Sequence, residues 1–131
     1  MARLFRVIVP VSDIEAARQF YERVLGSPGT RVSPGRHYFD CEGTILACFD
    51  PPADGDDDDP QPHQEPLYLA VANLESTYAA CREAGAVFSE DSSHGPMGKI
   101  AVRPWGEESF YVTDPFGNRL CFVRTGTTFT G

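Results

Sequence analysis

Few residues in this chain have types and spacings that could do chemistry on their own. The three histidines, His37, His63 and His94, are scattered and form neither an HxH nor an HExxH pattern. The four cysteines, Cys41, Cys48, Cys81 and Cys121, form no CxxC pair and sit among apolar neighbours, which predicts buried free thiols in a reducing compartment. Aspartate is abundant in one place only: residues 51–65, PPADGDDDDPQPHQE, carry Asp54, Asp56, Asp57, Asp58, Asp59 and Glu65 and no Lys or Arg. That run could chelate a hard cation, but it lacks the spaced oxygen ligands and the glycine of an EF-hand loop. Its prolines and lack of apolar residues predict a solvated, mobile linker. Trp105, the single tryptophan, lies between Pro104 and Gly106 on a stiff turn. There it can face a cavity or fill a core.

The elements that must position these residues can be taken from the pattern. Arg103 to Val123 reads as a β-hairpin, with Phe110–Thr113 and Leu120–Val123 as its strands and Asp114-Pro115-Phe116-Gly117 as its turn. Leu4–Val11 predicts a strand. Ser12 with Glu15 predicts a capping box, and Ile14, Ala17, Tyr21 and Val24 recur at helical spacing, widened by Phe20 and Leu25, until Gly26. Strands are expected near Thr30–Ser33, Arg36–Asp40 and Thr44–Phe49, with turns at Pro34-Gly35 and Glu42-Gly43. After the linker come a strand at Leu67–Val71, a helix capped by Asn73 with Leu74, Thr77, Tyr78 and Cys81 on one face, a stop at Gly85, a loop over Ser89–Gly98 and a strand at Lys99–Arg103. Each half reads β-α-β-β-β. VSDIE at 11–15 lies sixty positions before VANLE at 71–75, and DCEGTILACF at 40–49 lies seventy-four before DPFGNRLCFV at 114–123. One such unit cannot bury both faces of its sheet, so two must pair.

Length and charge bound the rest. At 131 residues with 41% hydrophobic content, one domain is expected: a first module over 1–50, the acidic linker 51–65, a second module over 66–125 and a tail over 126–131. The net charge is −8, yet outside the linker 13 acids face 11 bases, a net of −2. There is no basic stripe for nucleic acid. No apolar run reaches membrane-spanning length, and MARLFRVIVPVSD is too short in apolar residues for a secretory peptide, so a cytoplasmic protein that engages no membrane is expected.

The duplicated βαβββ pattern, the VSDIEAARQFYERVLG opening and the PWGEESFYVTDPFGN ending resemble the vicinal-oxygen-chelate superfamily. That group includes glyoxalase I, extradiol dioxygenases, fosfomycin-modifying enzymes and bleomycin-resistance proteins. The resemblance implies an α+β fold: two tandem βαβββ modules forming a cupped, eight-stranded mixed sheet with the helices outside, in a homodimer. In metal-dependent members a divalent ion is held at four equivalent points. By the family's register these are Arg6, Pro66, Ala47 and Cys121. Proline and alanine have no donor side chain and a guanidinium repels a cation, so no metal and no other cofactor is expected here.

The same resemblance implies a cleft lining. Fosfomycin-modifying relatives carry a Ser-Phe-Tyr segment before their Asp-Pro turn, which Ser109, Phe110 and Tyr111 match. The seventy-four-residue offset makes His37 the counterpart of Tyr111. Strand alternation from Pro66 adds Tyr68, the metal register adds Cys121, Arg103 joins the lining, and the bleomycin-resistance relatives carry a similar PWG turn near their drug groove. The expected ligand-binding set is Arg6, His37, Tyr68, Arg103, Trp105, Ser109, Tyr111 and Cys121. Each also has a packing role open to it: His37 as a hydrogen-bonded sheet histidine, Arg6 in an ion pair, Tyr68 and Tyr111 in the core, Cys121 as a buried thiol. The expected function is metal-independent binding of a small aromatic or cationic compound, between modules or at a dimer interface. The alternative is a glyoxalase-like lyase or isomerase, or another small-molecule enzyme. It would be metal-free, with His37 and Tyr111 as acid and base and Arg6 as anion clamp, or it would use ligands at other positions.

Overall fold

The computed structural model describes residues 1–131 and divides the chain into two units, Met1–His63 and Gln64–Gly131. Both are βαβββ modules, and the fold is α+β with two helices and two sheets.

In the first unit the order is β1 (Arg6–Pro10), α1 (Ile14–Leu25), β2 (Thr30–Ser33), β3 (Arg36–Cys41) and β4 (Thr44–Phe49). The sheet runs β1-β4-β3-β2, with β1 parallel to β4 and the other pairs antiparallel. Helix α1 starts one residue later than the Ser12 capping box predicts. Asp13 holds the extended backbone of a cap, and its carboxylate accepts from Glu15 N (3.1 Å) and Ala16 N (3.0 Å). Asp50, buried beyond β4, accepts from Ile14 N (3.3 Å), so two aspartates serve three of the amide groups that a helix start leaves free. Ile14, Ala17, Phe20, Tyr21 and Val24 bury the helix face as the spacing predicts. They meet a sheet face carrying Val9, His37, Phe39, Leu46 and Cys48, all buried. Tyr21 and Phe39 alone stabilise the unit by about 1.5–3 kcal/mol each through lost apolar exposure.

The segment expected as a free linker begins with structure. Pro51–Asp54 forms one 3-10 turn, and Asp54 accepts from Ser33 Oγ (2.9 Å) and Gly35 N (2.6 Å) while pairing with Arg36 (3.6 Å). Proline supplies the fixed φ that starts the turn, and Asp54 then closes the β2–β3 hairpin. Asp56–Asp59 are exposed coil. At the segment's end His63 Nε2 donates to Ile8 O (2.7 Å) on the edge strand β1.

The second unit comprises β5 (Leu67–Val71), α2 (Leu74–Glu83), β6 (Val87–Phe88), β7 (Ala101–Val102), β8 (Glu108–Thr113) and β9 (Arg119–Arg124). Its sheet runs β5-β9-β8, and β6 and β7 both pair with the far edge of β8. The two modules therefore have nine strands rather than the eight expected, because one edge strand is broken. Between the two pieces the loop takes over the ladder: Ser89 N donates to Tyr111 O (3.1 Å) and Tyr111 N donates to Met97 O (2.8 Å). The loop folds tightly enough that a Cβ on Gly98 would collide with Ser89 O, so the break depends on a glycine there. Asn73 caps α2 through Ser76 N (3.0 Å), and Leu74, Thr77 and Cys81 are buried. Tyr78 of that helix packs edge-on against Phe110 (5.1 Å between ring centres), which stacks on Phe122 (5.4 Å). All four cysteines are free. No helix is long and apolar enough to cross a membrane.

Candidate functional site

In each sheet the face away from its helix is the one left for a ligand, and the ladders say which residues occupy it. In the second unit Tyr68, Cys121 and Tyr111 form one row across β5, β9 and β8, and Ala70, Val123 and Ser109 form the next. Alternation puts Phe110, Val112, Leu120 and Phe122 on the helix side. Tyr68 is 59% exposed, and its ring meets the buried Tyr111 edge-on at 6.4 Å. Burial raises the Tyr111 phenol above its ordinary pKa. Cys121 is fully buried, and desolvation pushes its thiol up to about 11, which leaves it protonated and a poor nucleophile near neutrality.

Arg103 is only 3% exposed, and its guanidinium is spent inside the unit. Nε donates to Ser109 Oγ (2.9 Å), Nη1 to Pro96 O (3.2 Å), and Nη2 to Ser109 O (2.7 Å), Lys99 O (3.2 Å) and Met97 O (3.4 Å). The guanidinium also lies over the Tyr111 ring at 5.2 Å. Carbonyl dipoles take the place of a counter-ion, and the cation fastens the loop between β6 and β7 to β8. Ser109 is fully buried as its partner.

Beside this cluster lies a groove of about 400 Å³. Tyr68, Ala70 and Val123 come to it from β5 and β9, Trp105 and Glu107 from the turn before β8, and Thr128 and Phe129 from the C-terminal tail. The turn is tight: Gly106 N donates to Arg103 O (2.9 Å) and Arg103 N donates to Glu107 O (2.7 Å). That geometry holds Trp105 41% exposed, with its indole N–H donating to Glu107 Oε1 (2.8 Å). The other carboxylate oxygen accepts from Phe129 N (2.9 Å). Glu107 therefore fixes both aromatic sides of the groove while being 9% exposed itself. Of the residues singled out from sequence, only Tyr68 and Trp105 line it. Glu107 and Phe129 were not foreseen. An indole N–H two residues from a glutamate was the available signal for the first, and the tail carried none for the second.

In the first unit Arg6, Ile8, Tyr38 and Ala47 occupy the face away from α1, and Arg6 lies over Tyr38 (5.7 Å) and Phe5 (5.0 Å). His37 is not with them. It sits on the helix side, 5.0 Å from Phe39, and the counterpart of Tyr111 is Tyr38: Tyr111 pairs with Cys121 as Tyr38 pairs with Ala47. The offset of seventy-four holds for the last strands and drops to seventy-three for the strands before them. The cause is turn length. Glu42 and Gly43, at φ 54° and 103°, make a two-residue turn, whereas Pro115, Phe116 and Gly117 make a three-residue one closed by Asp114 N donating to Asn118 O (2.8 Å). One extra residue reverses the face of everything before it. His37 accepts at Nδ1 from Arg31 Nε (3.3 Å) and donates from Nε2 to Pro28 O (2.8 Å), so both ring nitrogens are engaged by the fold.

The residues at the family's metal positions do not fit a divalent ion. Arg6 is cationic, Ala47 and Pro66 have no donor side chain, and the Cys121 thiol is buried and protonated. No cluster of three or more His, Cys, Asp or Glu side chains exists elsewhere that could hold one.

Comparison with known proteins agrees with this fold. The sequence model of the Glyoxalase/Bleomycin resistance protein/Dioxygenase superfamily matches residues 3–122. No curated protein matches the chain in sequence. Among solved structures, a glyoxalase/bleomycin resistance protein from Albidiferax ferrireducens T118 is similar at TM-score 0.69 and 22% identity, over 92% of this chain and 96% of that one. A lactoylglutathione lyase from Agrobacterium tumefaciens is similar at TM-score 0.68 and 18% identity, over 95% of both chains. A glyoxalase-related enzyme from Fulvimarina pelagi gives TM-score 0.69 and 17% identity over the full length of both. At these identities the structures speak for the fold alone. With the match to the superfamily's sequence pattern spanning nearly the whole chain, the protein belongs to the Glyoxalase/Bleomycin resistance protein/Dioxygenase, or vicinal-oxygen-chelate, superfamily.

Proposed function

We propose that this chain is a binding protein that holds a small organic molecule in the groove beside Trp105 and does so without a metal ion. The observation that carries the reading is the groove itself, lined by three partly exposed aromatic residues, Tyr68, Trp105 and Phe129, and by one carboxylate that accepts two hydrogen bonds. Apolar walls with a few fixed polar groups are what small-molecule sites are made of. The chemistry at the family's metal positions supports the metal-free half, since Lewis-acid steps require donors that these residues lack. Catalysis by His37 is disfavoured because neither ring nitrogen is free to move a proton. The four free cysteines support a cytoplasmic setting. We take the working form to be a homodimer, as the superfamily resemblance implies.

Thermal-shift screening with small aromatic, cationic and carboxylate compounds tests the binding reading. A ligand present at 100 times its Kd should stabilise the folded chain by about 2.7 kcal/mol. Metal analysis of purified protein tests the other half: transition metal at or near one equivalent per chain would overturn it. Light scattering checks the dimer.

A further inference from the structure

We propose that the groove selects a quaternary ammonium ion, an inference that rests on the binding reading above and names its ligand class. Glu107 is the central observation. Its carboxylate is almost wholly withdrawn from water, lies on the groove, and has two neutral partners, the indole N–H of Trp105 and the amide of Phe129. It forms no ion pair. The cation of Arg103 belongs to the same turn, but its donors go to Pro96, Met97, Lys99 and Ser109 and none reaches Glu107. A carboxylate held this way keeps unused lone pairs and has no ion-pair partner in direct contact.

The rest of the groove suits a positive charge as well. Tyr68, Trp105 and Phe129 line it, and the face of an aromatic ring, the negative side of its quadrupole, attracts a cation. An anion would meet the Glu107 carboxylate. The head group can be narrowed by counting acceptors. A primary ammonium brings three N–H donors and a guanidinium five, and here a single carboxylate with two partners already in place must serve them. A quaternary ammonium has no donors to leave unsatisfied, and its charge is spread over methyl groups that pack on rings. A metal ion is excluded by the same count, because one carboxylate cannot supply its coordination shell. The net charge of −8 would draw such a cation to the chain.

Because Trp105 is the only tryptophan, its fluorescence reports on the groove directly. Four probes separate the possibilities: choline, its neutral carbon analogue 3,3-dimethyl-1-butanol, the similarly sized anion 3,3-dimethylbutyrate, and the smaller primary ammonium ethanolamine. We expect choline to bind about tenfold tighter than the alcohol, ethanolamine more weakly than choline, and the butyrate not at all. In Glu107→Gln the carboxylate charge is lost and one of the two accepted hydrogen bonds with it, so the readout is the ratio of the two affinities, and the preference for choline over the alcohol should fall several-fold. If that variant does not fold, ionic strength replaces it: raising salt should weaken choline and spare the alcohol. Equal binding of choline and the alcohol, or tighter binding of the butyrate, overturns the cation class; tighter binding of ethanolamine overturns the quaternary head group; either leaves the small-molecule reading standing. Failure of all four to perturb Trp105 overturns the quaternary ammonium proposal, and the binding reading falls only if the thermal-shift screen is also blank.

Discussion

Trp105 is placed so that its two possible roles separate cleanly. It is exposed over much of its ring and holds one hydrogen bond. Trp105→Ala should therefore cost under about 1 kcal/mol in urea unfolding while abolishing ligand-induced stabilisation. A loss of several kcal/mol would make it a core residue instead. Cys81 and Cys121 make a pH prediction. Burial raises both thiols, to about 12 and about 11, above the ordinary 9.0. A raised folded-state pKa means stability is intact below the unfolded-state value and is lost as pH rises through the folded one. Unfolding free energy should hold steady up to about pH 8 and fall from pH 9 to 12, by several kcal/mol in all. Cys81→Ala with Cys121→Ala should make that limb shallower and move its onset up to about pH 10, where the buried Tyr111 phenol takes over.

At the scale of elements, the loop between β6 and β7 hangs on one side chain. Arg103→Met keeps the stem and removes the donors to Pro96, Lys99 and Ser109. It should destabilise the chain by about 3 kcal/mol or more, and hydrogen exchange should rise first at 89–100. Elements are also where the sequence was most legible. The spacing of Ile14, Ala17, Tyr21 and Val24, and the turn chemistry of Asp114 to Gly117, reflect local physics that a sequence states outright. The misses come from competition between local signals or from tertiary context. Ser12 and Asp13 are adjacent caps, and Asp50 from beyond β4 takes part in settling the start. The seventy-four-residue offset predicts His37 on the cleft face, and the structure turns it to the helix side because the two hairpin turns differ in length by one residue. Val87–Phe88 and Ala101–Val102 are too short to announce themselves as pieces of one broken edge. Of the candidate site, Tyr68 and Trp105 were legible from alternation and from a motif, whereas Glu107 and Phe129 meet only through the fold.

For the molecule as a whole, charge and structure part company inside one acidic segment. Asp54 anchors the β2–β3 hairpin, whereas Asp56–Asp59 are exposed and counted for solubility and field only. Replacing Asp56, Asp57, Asp58 and Asp59 with serine should move the thermal midpoint by no more than about 2 °C. Asp54→Ala alone should cost about 1–3 kcal/mol, because Gly35 N loses its acceptor and Arg36 its partner. Calorimetry on the two variants checks both.

The carboxylate of Glu107 reaches Phe129 only two positions before Gly131. An affinity handle fused to that terminus would tug on one side of the groove, and removing the last three residues would take that side away. Purification and immobilisation should therefore be done through Met1, and a weak ligand missed with a C-terminal handle is worth screening again without it.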